Sequence, residues 1–301
     1  MNRETAIPES GAYYAWLKKR GVSLFEAGGV HWRNYQGALI PIEIDPCYPD
    51  VSPEDCVELL KRSRAWLVRY CSDPREQESA WYVVICDRFQ PDIRTGKMRY
   101  NVRYANRHCQ VRIVEAGWLA EHGYACYAAA HVRYADVEPI PEERFRQNVA
   151  ADQEGPYDHW GVFVGETLVG YCQCLVDQDR VVMAATKYDP AYFKSRGSTG
   201  LIDTLIHHYV VERGMLISNG GRPVSHDTNY QDFLLKMGFR KQYCRLNVRY
   251  RTPLNWAVRA AYPLRRVVGR LPSRGPVQKL QSLLFQEEIQ RQTRRQVTGN
   301  G

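Results

Sequence analysis

Long apolar runs are missing from this sequence. No stretch approaches the roughly 20 consecutive apolar residues that a bilayer-spanning helix needs, although apolar residues make up 44% of the chain. The opening segment, MNRETAIPES, has no apolar core of the kind that secretory signal peptides contain. The sequence therefore predicts a cytoplasmic protein, whose contact with a membrane would be peripheral and at the inner face.

The Cys-x-x-Cys spacing of common zinc and redox motifs is also missing. The chain contains nine cysteines, an odd number, and no Cys-x-x-Cys motif. Structural zinc sites and disulfide frameworks depend on paired or regularly spaced cysteines. We therefore expect no metal and no disulfide framework, and the scattered cysteines predict reduced, mostly buried thiols.

Neither sign of charge is in excess over the first 250 residues, where 31 basic side chains balance 31 acidic ones. The formal net charge of +8 arises after residue 250, where ten Lys and Arg residues accompany only Glu287 and Glu288. A protein that only binds RNA usually has a basic domain and a recognisable motif, and this sequence has neither. The distribution predicts a neutral body with a basic tail.

Turn and capping residues divide the first half into short elements. Residues 10–21 predict a helix with a glycine stop. Residues 30–44 predict two strands around Gln36 and Gly37. Residues 52–71 open with Ser, Pro and acidic residues and predict one long helix. The remaining predicted elements are a buried strand over 79–89, a helix over 95–108, a strand over 109–115 and a helix over 116–134.

Prolines and acidic residues over 135–158 interrupt this pattern and predict a domain boundary. The later elements predict a mixed α/β sheet with helices on both faces. They are a short helix within 135–158, a hairpin over 160–176, strands over 180–188, 215–220 and 243–250, and helices over 198–214 and 228–237. We predict two domains, 1–134 and 135–262, followed by a basic helical tail, 263–301.

The ordered elements of the second half resemble the GNAT acyltransferase superfamily. They are the hairpin 160–176, the next strand, a small-residue helix start at 196–200 and a helix that ends at Gly238 and Phe239. In the first half, WYVVICDRF and GKMRYNVRYANRHCQVRIVEAGWLAEHGYACYAAAHVRY look like the N-terminal half of tandem-GNAT proteins related to the Fem peptidyltransferases. The resemblance covers residues 30–262 and implies two tandem GNAT-like domains. It also implies transfer of an acyl or aminoacyl group to an amine, in cell-envelope polysaccharide or peptidoglycan biosynthesis.

The resemblance also implies where an acyl donor would bind. In the superfamily, donor phosphates contact backbone N–H groups at the start of the central helix, where the helix dipole favours anions. The donor would be acetyl-CoA or another acyl-CoA, with aminoacyl-tRNA as the alternative. The candidate donor-binding residues are Arg196, Gly197, Ser198, Thr199, Gly200, Ala185 on the preceding strand, and Asn229.

Two departures from the superfamily pattern bear on the donor and on the chemistry. Arg196 and Ser198 occupy the places of two glycines in the phosphate loop, which argues against ordinary coenzyme A binding and favours the branch that resembles aminoacyl-tRNA users. Leu234 lies where many members have a tyrosine that protonates the leaving thiolate. Both departures leave open a catalytically silent GNAT-fold module that binds a partner at a membrane surface.

The segment SHDTN, residues 225–229, contains the candidate catalytic bases. His226 and Asp227 directly precede a predicted helix and would accept a proton from the amine. A helix N-cap formed by Asp227 is the alternative explanation. Tyr188 and Asp189, directly after the central strand, are further candidates.

The predicted helix 95–108 contains a basic stripe. Arg99, Arg103 and Arg107 recur at four-residue spacing, with Lys97 nearby. These side chains would bind phosphates of a nucleotide, a tRNA or a lipid-linked precursor. A solvated helix face is the alternative explanation.

Residues 253–271 interleave four arginines with apolar side chains that include Leu254, Trp256, Val258, Tyr262, Leu264, Val267 and Val268. Basic amphipathic segments of this kind lie on anionic membranes, and a helix packed on the second domain is the alternative. The predicted partners are therefore a small-molecule or lipid-linked amine acceptor, tRNA as an alternative donor, and a membrane surface. The predicted function is N-acyl transfer, and a conventional acetyl-CoA-dependent N-acetyltransferase is the nearest alternative.

Overall fold

The computed structural model describes residues 11–132, 138–224, 229–272 and 275–298. Its strands are β1 (Leu24–Ala27), β2 (Val30–Tyr35), β3 (Ala38–Pro41), β4 (Leu67–Arg75), β5 (Trp81–Cys86), β6 (Gln110–Val114), β7 (Tyr157–Val164), β8 (Thr167–Asp177), β9 (Arg180–Tyr188), β10 (Leu216–Gly221) and β11 (Arg240–Tyr250). Its α-helices are α1 (Ala12–Lys19), α2 (Pro53–Arg62), α3 (Gly96–His108), α4 (Ala116–His122), α5 (Tyr124–His131), α6 (Glu142–Ala150), α7 (Gly197–Leu205), α8 (Tyr230–Met237), α9 (Thr252–Ala261), α10 (Arg265–Val268) and α11 (Gly275–Thr298). The predicted mixed α/β fold is confirmed.

Contacts divide the chain into two compact units. Unit 1 comprises Met1–Val83, Gly220–Thr228 and Lys241–Gly301, and unit 2 comprises Val84–Asn219 and Asn229–Arg240. The predicted boundaries of the tandem domains and of the tail stay a prediction.

Unit 1 contains strands in the order β1-β2-β3-β4-β11. Strands β3 and β4 are parallel, and the other neighbours are antiparallel. Two-residue turns join the first three strands, and Gly28, Gly29, Gln36 and Gly37 all have positive φ in them. Type I′ hairpin turns require this conformation at both central residues. Behind these strands, Trp32, Leu39, Leu59 and Val68 form a buried core.

Helix α2 begins as the sequence predicts. The Ser52 hydroxyl accepts the Asp55 N–H at 3.0 Å, and the Asp55 carboxylate accepts the Ser52 N–H at 2.9 Å. The prediction of one helix over 52–71 is wrong beyond Arg62, where α2 ends, because β4 begins at Leu67. β4 pairs with β11 along most of its length, and this ladder outweighs the helical spacing of the apolar residues.

Unit 2 contains strands in the order β10-β9-β8-β7-β6, with β9 and β10 parallel and the other neighbours antiparallel. Phe145, Phe163 and Tyr171 join α6, β7 and β8 in one buried core. The prediction of one helix over 116–134 is corrected, because Gly123 separates α4 from α5. A Cβ at Gly123 would lie 2.5 Å from the Leu119 carbonyl oxygen, so the close approach requires glycine, which is a poor helix former.

The residues after β11 are helical, as predicted. Helix α11 packs within unit 1, where Leu284, Ile289 and Thr293 are buried and the Gln290 side chain accepts the Val248 N–H at 2.6 Å. No helix among the described residues is long and apolar enough to cross a membrane. The prediction of mostly buried thiols is confirmed, since Cys109 alone among the nine cysteines is half-buried rather than buried.

Candidate functional site

Strand β9 separates from its parallel neighbour part-way along its length. Within the described residues, β9 pairs with β10 only up to Val182, although β9 continues to Tyr188. On its other side β9 pairs with β8, and Ala184 is the extra residue of a bulge just before Ala185. The β10-facing edge of β9 beyond Val182 is therefore outside the ladder, in the part of the strand that contains Ala185, a predicted donor-binding residue.

Helix α7 follows this strand after a short 3₁₀ segment, Pro190–Ser195. Its N-cap, Arg196, has φ of 59°, a left-handed conformation that costs a residue other than glycine roughly 1–2 kcal/mol. The Arg196 carbonyl accepts the N–H groups of Thr199 and Gly200 at 2.9 and 3.3 Å. A glycine at this place, as in the superfamily pattern, would avoid the conformational cost. This chain instead has a guanidinium at the start of the helix.

Two glycines at the start of α7 provide close packing. A Cβ at Gly197 would lie 2.0 Å from the Tyr188 hydroxyl oxygen, and a Cβ at Gly200 would lie 3.2 Å from that of Ala105 on α3. Gly197, Thr199 and Gly200 are buried, while Ser198 is half-buried. Of the predicted donor-binding loop, Arg196 and Ser198 are thus the more accessible residues.

Tyr188 and Asp189 support the start of α7. The Tyr188 hydroxyl donates to Ser195 Oγ at 2.8 Å, Ser195 Oγ donates to the Tyr192 carbonyl at 2.7 Å, and burial raises the pKa of Tyr188. The Asp189 carboxylate accepts the Ala191 N–H at 2.9 Å. Both side chains are therefore engaged in shaping the loop that precedes α7.

The predicted phosphate-binding stripe lies on the helix next to α7. The Arg196 guanidinium lies 5.6 Å from the Tyr100 ring and 5.3 Å from the Tyr104 ring, both on α3. Arg103 and Arg107 are exposed, and the described residues give them no ion pair.

Arg99 differs from the other members of the basic stripe in its contacts. Lys97 is also exposed and has no ion pair among the described residues. Arg99 is exposed as well, but its guanidinium donates to the Arg94 carbonyl. The structure thus brings the predicted donor loop and the predicted phosphate stripe onto adjoining helices.

A buried ion pair fixes the rear of α7. Arg94 and Asp203 form this pair, and both are almost fully buried. Arg94 also donates through Nε to the carbonyl oxygen of Met237, the last residue of α8, at 2.9 Å. The pair therefore connects the segment before α3 with both α7 and α8, which orders the walls of the site.

Tyr230, at the start of α8, is a residue that the sequence did not single out. Its hydroxyl contacts Thr186 on the open part of β9, and Thr186 Oγ1 lies 3.4 Å from Cys172 Sγ. Burial raises the pKa of Tyr230 well above its usual value, so this hydroxyl keeps its proton at neutral pH. Leu234, which occupies the place of the superfamily tyrosine, is fully buried. Tyr230 lies four residues before it on the same helix face, so the tyrosine of this chain is one helical turn earlier than the superfamily pattern has it.

The remaining predicted site residues are at the start of α8 or before it. Asn229 is exposed and is the N-cap of α8, with no side-chain capping hydrogen bond. His226 and Asp227 lie outside the described residues, so their catalytic role stays a prediction.

No family model matches the chain, and no curated protein matches it. FemX is similar in structure, with a TM-score of 0.55 at 8% identity over 82% of this chain and 92% of that chain. This chain has a GNAT-like, Fem-type fold.

Two further solved structures are similar to this GNAT-like chain. One is the C-terminal DUF2156 domain of a protein from Agrobacterium fabrum described as a lysylphosphatidylglycerol synthetase, with a TM-score of 0.53 at 10% identity over 86% of this chain and 93% of that domain. The other is L-PGS from Bacillus licheniformis, with a TM-score of 0.50 at 10% identity over 94% of this chain and 96% of that one. At these identities the likeness concerns the fold.

Proposed function

We propose that this GNAT-like protein transfers an acyl or aminoacyl group to an amine. The observation that carries the proposal is the separation of β9 from β10 beyond Val182, with the bulge at Ala184. Backbone N–H groups outside the ladder are suited to stabilise the oxyanion that forms during acyl transfer. The names of the similar structures, FemX and a lysylphosphatidylglycerol synthetase, support a cell-envelope acceptor that is a small molecule or linked to a lipid.

The donor would bind with its phosphates at the start of α7 and along the basic stripe of α3. Helix N-termini favour anions, and Arg103, Arg107 and Lys97 are exposed without ion pairs among the described residues. Arginine forks match phosphate oxygens in two-point contacts. Acyl-CoA and aminoacyl-tRNA both have suitable phosphates, and Arg196 in place of a loop glycine favours aminoacyl-tRNA.

The reaction would follow the usual course of acyl transfer. The amine nitrogen attacks the carbonyl carbon of the donor, the new C–N bond forms, and the bond to the leaving sulfur or oxygen breaks. The leaving atom takes a proton, for which we propose the Tyr230 hydroxyl, because it lies beside Thr186 on the open part of β9. The amine loses a proton to a base, and His226 and Asp227 are the proposed bases.

Donor binding tests the first part of this proposal. Titration with coenzyme A and with aminoacyl-tRNA should identify one of them as the ligand, and Arg103→Ala/Arg107→Ala should weaken its binding about tenfold, since each exposed charged contact contributes up to about 1 kcal/mol. Arg144→Ala/Arg146→Ala on α6 removes the same charge from exposed positions and serves as the control. If neither ligand binds, the protein is not a transferase of this kind and the silent binding module gains support.

A transfer assay tests the chemistry. Tyr230→Phe should lower kcat on the order of 100-fold, which is typical for loss of a general acid, and should leave the donor Kd unchanged. Unchanged kcat in this variant would exclude Tyr230 as the proton donor.

We also propose a peripheral membrane contact through residues 253–271. Trp256, Leu264 and Val267 are 67%, 58% and 60% exposed in this segment, and Arg266 is exposed among them. Exposed apolar and basic side chains together are typical of segments that lie on anionic bilayers. Trp256→Ser/Val267→Ser should reduce flotation with anionic vesicles, and equal flotation would exclude this contact.

A further inference from the structure

Unit 1 contains a cavity of about 620 Å³ whose walls are strongly basic. Helix α2, the end of β11, the start of α9 and one face of α11 form its walls. Its charged lining residues are Lys61, Arg249, Arg251, Arg259, Arg291 and Glu287. The volume lies within the range of sites that bind small molecules. Five cationic groups around one carboxylate predict an anionic ligand.

The single carboxylate in the cavity is already neutralised. Glu287 is buried and accepts the Arg291 Nε–H at 2.7 Å. Burial and the nearby Glu287 carboxylate both raise the pKa of Tyr250, another lining residue. Glu287 therefore has its charge compensated within the protein and leaves the other cations unbalanced.

Three of the other cations have no such partner. Lys61, Arg249 and Arg259 are exposed, and none of them forms an ion pair with any residue that the structure describes. Confining like charges around one concave surface raises the local positive potential. A bound anion would relieve this repulsion.

Arg251 adds a buried donor to the cavity. Its guanidinium donates to the carbonyl oxygens of Leu60 and Ser63, at the end of α2. The Nε of Arg251 is buried without a hydrogen-bond partner in the described structure. A buried donor that remains unpaired costs about 1–3 kcal/mol.

The start of α9 faces the same cavity. Arg251 is its N-cap, and Thr252 and Asn255 line the cavity. The first N–H groups of a helix have no partners within the helix and favour anions. The helix start and the three unbalanced cations thus line the same cavity.

We propose that this cavity binds a phosphate ester. Arginine forks and a helix start match the tetrahedral oxygens of phosphate. Val57, Leu60 and Val248 form an apolar part of the wall, which fits the carbon-containing portion of an ester. The residues of this site belong to unit 1, whereas those of the proposed donor site belong to unit 2.

Calorimetry on the full chain tests the site with two probes, glycerol phosphate and pyrophosphate. Arg249→Ala/Arg259→Ala should weaken the binding of glycerol phosphate at least about tenfold, since two charged contacts are lost. Arg20→Ala/Arg64→Ala removes the same charge from exposed positions of unit 1 that lie outside the lining and outside residues 253–271 and should change the affinity less than about twofold. Pyrophosphate should compete with glycerol phosphate in the unaltered protein.

Vesicles of phosphatidylglycerol, with phosphatidylcholine as the neutral comparison, identify the source of the phosphate. If phosphatidylglycerol vesicles displace pyrophosphate and the displacement requires Arg249 and Arg259, the ligand is a lipid headgroup. If the soluble ester binds through these arginines and vesicles do not compete, the ligand is a soluble phosphate ester. Equal loss of affinity in the two double variants, or no binding of either soluble probe, would overturn the proposal.

Discussion

Two helices of this protein begin with an arginine at the N-cap, and the two arginines differ in backbone conformation and in side-chain contacts. At the start of α7 in unit 2, Arg196 has φ of 59° and its guanidinium lies over two tyrosine rings. At the start of α9 in unit 1, Arg251 has an ordinary extended conformation and donates to the carbonyl oxygens of Leu60 and Ser63.

The two helix starts also differ in how much open space lies beside them. Around α7, Tyr188 fills the space beside Gly197, and the buried Arg94–Asp203 pair fixes the helix from behind. Around α9, a cavity of about 620 Å³ remains. One helix start is closed by packing, so a ligand must use its outer surface. The other faces an open cavity.

Removal of the two arginines should have unequal effects on stability. Arg251→Ala removes two hydrogen bonds from a charged donor to backbone carbonyls and should lower the free energy of unfolding by about 3 kcal/mol. Arg196→Ala removes ring contacts that contribute about 0.5–1 kcal/mol. Urea denaturation of both variants measures the difference, and equal losses would show that Arg196 also has a structural role.

Packing beside Gly197 should produce a smaller effect. Gly197→Ala places a Cβ against the Tyr188 hydroxyl and should destabilise the protein by about 2 kcal/mol, in the range for overpacked sites. Tyr188→Phe in the same chain removes the hydroxyl and should restore part of this loss. A double-mutant cycle measures the coupling, and strictly additive effects would contradict a closed helix start.

Local patterns account for much of the fold. Strand β9 occupies the predicted residues 180–188, and α3 matches its predicted range closely, because period and capping residues are read within one segment. The pair Gly28-Gly29 gave the same type of hairpin turn as Gln36-Gly37, so the missed strand β1 could have been predicted. The strand within 52–71 depends on its ladder with β11, which no local pattern reveals.

The two sites differ in how far the sequence reveals them. The donor loop at the start of α7 and the basic stripe of α3 each lie within a short segment, so spacing predicts them. The cavity of unit 1 brings together Lys61, Arg249 and Arg291, which are far apart along the chain. Composition shows only that basic residues concentrate after residue 250, and it does not show that some of them surround a cavity.

Thiol labelling should give the smallest effect and distinguish the two regions without altering either. Cys109 is half-buried, and its thiol donates to the Ser195 carbonyl, beside the start of α7. Cys56 belongs to α2 in unit 1 and is 2% exposed. Burial raises the pKa of its thiol. Because the thiolate is the reactive form, Cys109 should react with iodoacetamide about tenfold faster than Cys56 at neutral pH, which corresponds to about 1.4 kcal/mol.

The donor should then slow the labelling of Cys109 and leave the labelling of Cys56 unchanged, because the proposed donor covers the outer surface of α7. Peptide mass spectrometry measures both thiols in one sample, so Cys56 is an internal control for any global change in opening. Protection of both thiols to the same degree would mean that the donor stabilises the whole chain. Protection of Cys56 alone would mean that the donor binds in unit 1. The ligands that we propose for the two helix starts would then both be wrong.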